Sequence, residues 1–299
     1  MCTNASIIKH ASSRFLFAGL LVLSCSMPVN AQEEEVNDMT TPLHLLQPAY
    51  KIPYGELTAA EVKTSLDRVF AYCDAQTPHR ILAADGTEVA NLKRLPEGAI
   101  VERGAFRIGS YEWGITYQAL LDAATATGDQ RYKDYVMRQF RLLAEAVPAF
   151  QARDAKKAEI EDAQMEQIIH PRALDDCGTM CTAMMKATAV QPGLGLDAII
   201  DNYFDFVHNK QMRLSAGEGD NLFARNRPQH NTIWLDDMYM GIPTLAYAGI
   251  YARNNAFFDE ATTMYKSFVR RMWVPEKNIY RHGYVEGLAQ EPTYHWARA

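Results

Sequence analysis

The sequence contains no run of about 20 consecutive apolar residues, the length that a membrane-spanning helix needs. It also lacks an excess of basic side chains, because 30 Lys and Arg stand against 36 Asp and Glu, for a net charge of −6. Without a basic field the chain is not expected to bind nucleic acid. A glycine-rich phosphate loop, a G-x-S-x-G elbow and an H-E-x-x-H motif are missing too. These absences leave cofactor-free hydrolysis or carbohydrate binding, with no resident metal.

Cysteine is scarce, with five residues in the chain, of which Cys2 and Cys25 fall near the N-terminus. Cys177 and Cys181 are four positions apart and would share one face of a helix. A zinc site would need a second ligand pair at suitable spacing, and the sequence offers none. We therefore predict buried thiols at Cys177 and Cys181, with a local disulfide as the alternative, and no framework of disulfides.

The first 31 residues have the pattern of a secretory signal peptide. Lys9 and Arg14 precede the apolar stretch 15–24, and the small-residue segment Val29–Ala31 resembles a cleavage site. Cys25 gives a weak match to a bacterial lipoprotein site, which is the alternative. The sequence thus predicts an exported protein, secreted or periplasmic, whose mature chain carries a net charge of −8 once the two basic residues of the leader are removed.

Residues 32–56 are acidic and then proline-rich, and they are interpreted as a lead-in segment. From residue 57 onward apolar residues recur at helical spacing, and we see no alternating strand pattern. A capping box at Thr58 and Glu61 opens a first helix that Thr77-Pro78 ends. An all-α fold is predicted, with further helices at 112–127, 130–147, 174–190, 196–209, 236–252 and 257–273.

The loops alternate between short and long. Short turns such as Gly128-Asp129 join helices into antiparallel hairpins, and long stretches at 77–111, 148–173, 210–235 and 274–295 separate the hairpins. In a stack of hairpins all long loops emerge on one rim, and loops of this length are usually functional.

An internal repeat accompanies this alternation. Trp113, Asp176, Asp236 and Arg298 follow successive long loops at separations of 63, 60 and 62 residues. Repeated hairpins of this size form either an open solenoid or a closed (α/α) toroid, and a tetratricopeptide array would repeat every 34 residues or so. Aromatic and acidic residues at the helix starts favour the toroid.

Two aspartate pairs begin predicted helices: Asp175-Asp176 and Asp236-Asp237. Aspartate is a good N-cap residue, which would account for one carboxylate in each pair. The second carboxylate of each pair is left for another task. Two carboxylates that converge on a pocket are typical of glycoside chemistry.

Aromatic and basic residues are dense on the same rim. Sugar rings stack on aromatic side chains, although aromatic core filling is the alternative, and an Arg fork or a His would hold an anionic sugar. The aromatic set is Tyr111, Trp113, Trp234, Tyr239, Tyr280, Tyr284, Tyr294 and Trp296, and the basic set is Arg225, Arg227, His230, His282 and Arg298. We expect the substrate-binding residues among them to be Trp113, Arg227, His230, Trp234, Tyr239, His282, Trp296 and Arg298.

Five segments resemble the unsaturated glucuronyl and rhamnogalacturonyl hydrolases of glycoside hydrolase families 88 and 105. The most specific is the stretch 234–243, Trp-Leu-Asp-Asp-Met-Tyr-Met-Gly-Ile-Pro. Residues 280–283 (Tyr-Arg-His-Gly), 295–299 (His-Trp-Ala-Arg-Ala), 174–178 (Leu-Asp-Asp-Cys-Gly) and 127–132 fit the same group. The likeness spans about residues 57–299 and looks closer to the rhamnogalacturonyl branch.

This resemblance implies an (α/α)6 toroid that acts on oligosaccharides with a 4,5-unsaturated uronic acid at the non-reducing end, as lyases leave them. Family members hydrate the double bond, and the resulting hemiketal opens and releases the sugar. By resemblance Asp236 is the general acid and then base, and Asp176 or Asp175 is the second carboxylate, with Asp176 preferred. His282, Trp296 and Arg298 match positions that line the sugar site, and Arg298 would bind the uronate carboxylate.

A sequence does not show the mutual geometry of the carboxylates, so Asp236 and Asp237 stay alternatives for the acid. The chain stops at Ala299 inside a family motif, so the resemblance predicts an incomplete toroid with an exposed apolar flank. The alternatives to the hydratase-type reaction are another toroid sugar enzyme, such as an inverting glycosidase or an epimerase, and an inactive glycan-binding fragment.

Overall fold

Three helical hairpins carry the fold in the computed structural model, which describes residues 56–156, 160, 162–215 and 221–286. The described residues from Thr58 to Glu286 belong to one compact unit. The helices are α1 (Ala59–Gln76), α2 (Tyr111–Thr127), α3 (Gln130–Asp154), α4 (Ala163–Ile169), α5 (Leu174–Val190), α6 (Asp197–Asp205), α7 (Asp236–Tyr251) and α8 (Ala256–Met272), and a π-helical turn, Phe206–Lys210, follows α6.

The predicted all-α class is confirmed, and so are most helix bounds. Helices α2, α5, α7 and α8 each begin and end within one residue of the positions that the apolar periodicity predicted. The predicted capping box of α1 is present, since the Thr58 hydroxyl accepts from the Glu61 amide and the Glu61 carboxylate accepts from the Thr58 amide. Gly128, with φ of 73°, ends α2 and Asp129 caps α3, as expected of the turn between them.

The predicted end of the helix at 130–147 was wrong. Helix α3 continues through Pro148 to Asp154, because Val147 before the proline and Phe150 after it are both buried in the core. That burial outweighs the backbone hydrogen bond that a proline removes. The predicted long loop 148–173 therefore begins later, and it contains the short helix α4, which was missed.

Short strands lie within the long loops, where none were predicted. In the part of the chain that the structure describes, four antiparallel two-stranded sheets pair β1 (Ile81–Leu82) with β2 (Ile100–Val101), β3 (Arg213–Leu214) with β4 (Leu222–Phe223), β5 (Thr232–Trp234) with β8 (Gly283–Val285), and β6 (Trp273–Val274) with β7 (Ile279–Tyr280). Strands of two or three residues are too short to show an alternating pattern. The β5–β8 pair matters most, since it joins segments from two different long loops.

Helices α2, α5 and α7 lie side by side and form an inner layer, and α3, α6 and α8 each pack on the outside of their own hairpin partner. The inner helices start at residues 111, 174 and 236, so the predicted repeat of about 62 residues is one hairpin. The inner helices approach so closely that a Cβ at Gly114 would overlap Thr179, and a Cβ at Gly178 would overlap the carbonyl of Met240. The absence of a side chain at these two glycines permits this approach. This arrangement of stacked hairpins is consistent with an arc of an (α/α) toroid.

The thiols of Cys177 and Cys181 are buried in α5 and unpaired. The leader, most of the lead-in segment and the residues Tyr294, Trp296 and Arg298 lie outside the described residues. No helix in the described part of the chain is long and apolar enough to cross a membrane.

Candidate functional site

Asp236 and His282 form a hydrogen-bonded pair at the start of α7. Asp236 is the first residue of that helix, two positions after the last residue of β5, and His282 directly precedes β8. The pairing of Trp234 with Gly283 and the hydrogen bond from the Leu235 amide to the His282 carbonyl bring the two together. Nε2 of His282 then lies 2.7 Å from Oδ2 of Asp236, whose side chain is 35% exposed.

Arg225 bridges the carboxylates of Asp175 and Asp237. Its two terminal nitrogens contact the two carboxylate oxygens of Asp175 at 2.9 and 2.6 Å. Its Nε lies 3.0 and 3.2 Å from the oxygens of Asp237, and a terminal nitrogen contacts Asp237 as well. The first turns of α5 and α7 are thereby connected through one guanidinium.

Asp237 is fully buried, and burial raises its pKa to about 6. Arg225 opposes this shift, while the charges of Asp175 and Asp236 add to it. Burial also disfavours the charged form of Arg225, but its ion pairs with Asp237 and Asp175 outweigh burial and hold its pKa above the ordinary value. A carboxylate with no exposed surface cannot contact a bound sugar directly.

Asp176 faces a different environment from Asp175. It accepts a hydrogen bond of 2.7 Å from the backbone amide of Tyr111, the first residue of α2, and a second one from Gln167 of α4. Ser110 makes no side-chain cap there, so Asp176 caps α2 from the neighbouring hairpin. Burial raises the pKa of Asp176. Asp175, and not Asp176, is among the residues that line the cleft described next.

The acid, basic and aromatic residues meet in a cleft of about 560 Å³. Its walls include Asp175, Arg225, Arg227, Trp234, Asp236 and His282. Trp234 contacts His282 edge to face at 4.7 Å, and its indole donates to the Arg227 carbonyl. Arg227 has a side chain 72% exposed that approaches Asp175 only to 3.9 Å. The cleft therefore offers a carboxyl paired with imidazole, a second carboxylate, an available guanidinium and an aromatic ring.

A second cleft, of about 540 Å³, lies on the other side of Asp236 and His282. It is lined by Tyr239, Tyr265 and Tyr280 and by apolar residues of α7. Tyr239, predicted as a sugar contact, thus belongs to this neighbouring cleft.

Two other predicted sugar contacts, Trp113 and His230, are not among the residues that line either cleft. Trp113 is only 5% exposed, stacks on Phe106 at 4.3 Å and donates to the Tyr135 hydroxyl. It fills the core between α2 and α3, which was the alternative interpretation of the aromatics. His230 is exposed and its ring contacts Asn226 in the loop before β5.

Arg225 is the residue whose place the sequence did not reveal. It was counted among the basic residues of the rim without a role, because no local pattern distinguishes it from Arg227, two positions later. Only the antiparallel bridge between Arg225 and Thr232 and the approach of α5 and α7 direct its side chain inward. Within the described ranges, no group of three or more His, Cys, Asp or Glu could hold a metal ion.

The family model described as Glycosyl Hydrolase Family 88 matches residues 87–299. No curated protein matches the chain. That stretch contains both aspartate pairs, Arg225, Arg227 and His282, so the whole candidate site falls inside the matched region.

Solved structures to which this chain is similar include two possible GH105 members. The chain is 15% identical to one from Salmonella enterica serovar Paratyphi A (TM-score 0.48), covering 83% of this chain and 56% of that one. It is 15% identical to one from Klebsiella pneumoniae (TM-score 0.49), covering 81% and 55%. An unsaturated glucuronyl hydrolase from Bacillus sp. GL1, responsible for glycosaminoglycan degradation, is 14% identical (TM-score 0.43), covering 76% and 52%. The chain thus spans little more than half the length of these proteins.

Proposed function

This chain belongs to Glycosyl Hydrolase Family 88, and from that membership we propose that it removes a 4,5-unsaturated uronic acid from the non-reducing end of oligosaccharides. The observation that carries the proposal is the hydrogen bond between Asp236 and His282 in a cleft that also contains Asp175, Arg227 and Trp234. A proton donor, a hydrogen-bond acceptor, a cation and an aromatic ring are what an unsaturated uronate requires.

Asp236 acts on the double bond as a general acid. The hydrogen bond from His282 fixes one of its oxygens, Oδ2, and the other is left for the substrate. A proton passes from the carboxyl group to C4 of the sugar, a C4–H bond forms, and positive charge develops at C5 and the ring oxygen. The carboxylate that results takes a proton from water as the water oxygen bonds to C5.

The product of this hydration is a hemiketal at C5, which opens to a ketone as its bond to the ring oxygen breaks. The ring oxygen takes a proton, and C1 is then a hemiacetal that collapses to an aldehyde and releases the alcohol of the next sugar. One water is consumed overall, and no bond at the anomeric carbon is attacked by the enzyme.

Recognition of the uronate falls to the cation without a close acidic partner. Arg225 is engaged by two carboxylates, whereas Arg227 is 72% exposed and only 3.9 Å from the nearest carboxylate oxygen. A guanidinium matches a carboxylate in geometry, so Arg227 holds the substrate carboxylate, together with Arg298 by family resemblance. Trp234 provides the ring face for stacking, and Asp175 accepts a hydrogen bond from a ring hydroxyl.

The finer substrate is a rhamnogalacturonan or related pectic fragment, which rests on the resemblance of the stretch 234–243 to the rhamnogalacturonyl branch. Export through a leader at residues 1–31 fits a substrate outside the cytoplasm. Residues 57–299 are the toroid domain in this proposal.

The direct test is a spectrophotometric assay with an unsaturated disaccharide whose C4=C5 bond is conjugated to its carboxylate. Hydration removes that conjugation, so the ultraviolet absorbance should fall as the free sugar appears. Release of sugar with unchanged absorbance would indicate an ordinary glycosidase and overturn the proposal. Binding measured by calorimetry without turnover would instead indicate a glycan-binding protein.

A further inference from the structure

The guanidinium of Arg225 links Asp175 at the start of α5 to Asp237 at the start of α7. Its side chain is 13% exposed, and that of Asp237 is completely buried. Nε donates to Asp237 at 3.0 and 3.2 Å, and the two terminal nitrogens donate to Asp175 at 2.9 and 2.6 Å. One terminal nitrogen also donates to Asp237.

The backbone of Arg225 is fixed as firmly as its side chain. Its amide donates to the Thr232 carbonyl at 2.8 Å, and its carbonyl accepts from the Thr232 amide at 3.0 Å. Thr232 is the first residue of β5, the strand that leads into Asp236. Arg225 is therefore tied to the acid through the strand and to Asp175 through its side chain.

We propose that Arg225 and Asp237 are positioning residues, in which the buried Asp237 anchors Arg225 and Arg225 fixes the carboxylate of Asp175 in the cleft wall beside Asp236. This inference rests on the proposed function, and it assigns different roles to the two members of the pair Asp236-Asp237. Asp236 contacts the substrate, and Asp237 acts only through Arg225.

A role for Arg225 as the binder of the substrate carboxylate is less compatible with these contacts. To turn toward an anion it would have to leave Asp237, and a buried carboxylate without its partner is strongly destabilising. Arg227, two residues later, is exposed and can serve the substrate without that loss.

The test is a double-mutant cycle between Arg225→Lys and Asp175→Asn. Lysine keeps the charge but cannot reproduce the fork that contacts both carboxylates. We expect Arg225→Lys to lower kcat/KM by about tenfold to a hundredfold, since a misplaced group costs this much. In an enzyme that already carries Asp175→Asn, Arg225→Lys should lower kcat/KM little further, because the residue through which Arg225 acts is already altered.

Arg213→Lys is the matched control. Arg213 is also a mostly buried arginine paired with a carboxylate, 2.9 Å from Glu260, and it comes from the neighbouring strand β3. Its substitution should leave kcat/KM nearly unchanged. Equal losses for Arg213→Lys and Arg225→Lys, or full additivity of Arg225→Lys with Asp175→Asn, would overturn the positioning role.

A second cycle needs no substrate. Measured on urea unfolding, Arg225→Lys and Asp175→Asn should be coupled whatever the enzyme acts on, so coupling without turnover means that only the proposed function has failed. Absence of coupling overturns the positioning role itself. If Arg225→Lys does not fold, Asp237→Asn takes its place in both cycles, because asparagine is isosteric and still accepts a hydrogen bond from Arg225.

Discussion

Nε2 of His282 lies 2.7 Å from Oδ2 of Asp236, although 46 residues separate the two in the chain. The contact depends on the pairing of β5 with β8, which places the residue before β8 next to the residue that begins α7. Because Asp236 is the proposed acid, the imidazole is the group that orients it.

Replacement of Asp236 by asparagine should abolish most turnover and leave the fold intact. Asparagine keeps the hydrogen bond to His282 but has no proton to give, so we expect kcat to fall by about 10²–10⁴-fold. Asp259→Asn, on the outer helix α8, is the control for a lost surface carboxylate. Wild-type kcat in the Asp236→Asn enzyme would show that another group is the acid.

The two members of the pair Asp175-Asp176 should separate activity from stability. Asp175 lines the cleft, and Asp176 caps α2 through the Tyr111 amide. Asp175→Asn is therefore expected to lower kcat/KM more than Asp176→Asn does. Asp176→Ala, which removes the cap, should lower the free energy of unfolding by about 1 kcal/mol. The opposite order of effects on kcat/KM would return the catalytic assignment to Asp176.

Arg227→Ala should weaken binding of the anionic substrate specifically. Loss of a guanidinium–carboxylate contact is expected to raise KM by about tenfold, or about 1.4 kcal/mol. For an analogue in which the uronate carboxylate is replaced by an amide, the same substitution should raise KM much less. Arg80→Ala is the control, because it removes an exposed arginine that directly precedes β1. Equal losses for the acid and the amide would mean that Arg227 supports its loop rather than the charge.

The helices could be predicted from sequence because burial of one face imposes a helical period that is visible locally, as in α5. Which of Asp175 and Asp176 lines the cleft could not be predicted from sequence. Adjacent residues of a helix point about 100° apart, and which of them faces the cleft depends on how α5 packs between α2 and α7. Neither could the Asp236–His282 contact be predicted, since it depends on a three-residue strand pair whose partners are far apart in sequence.

The buried Asp237 predicts a distinctive pH dependence of stability. Its folded-state pKa of about 6 lies above the ordinary value of 3.8, so between those pH values the folded protein holds a proton that the unfolded chain has lost. Because of this group, the free energy of unfolding should decrease by up to about 1.4 kcal/mol for each unit by which the pH rises between about 4 and 6. The difference between wild type and Asp237→Asn in urea unfolding from pH 4 to pH 6 isolates this contribution.

Asp67 provides the control of opposite sign. Its hydrogen bond with Lys63 lowers its pKa, so its contribution to stability is present above the unfolded-state pKa and is lost as the pH falls below it. Asp67→Asn should therefore alter the acid side of the curve and leave the slope between pH 4 and pH 6 in place. An unchanged slope in Asp237→Asn would mean that Asp237 is ionised throughout this range.

The close approach of the inner helices gives the last prediction. A Cβ at Gly178 would overlap the backbone carbonyl of Met240, and a backbone atom cannot move aside without shifting α7. Gly178→Ala should therefore lower the free energy of unfolding by about 1–3 kcal/mol, the usual effect of overpacking, despite the better helix propensity of alanine. Because Asp236 and Asp237 lie one turn before Met240, the same shift should also lower kcat.

Gly249→Ala is the matched control, since it introduces the same methyl group into the same helix layer. There the three atoms nearest to the Cβ belong to the ring of Phe258, a residue 37% exposed whose side chain can rotate away. A smaller loss of stability and an unchanged kcat are expected for Gly249→Ala. If both alanine variants unfold at the same urea concentration and retain the wild-type kcat, the spacing of α5 and α7 does not control the geometry of the aspartates.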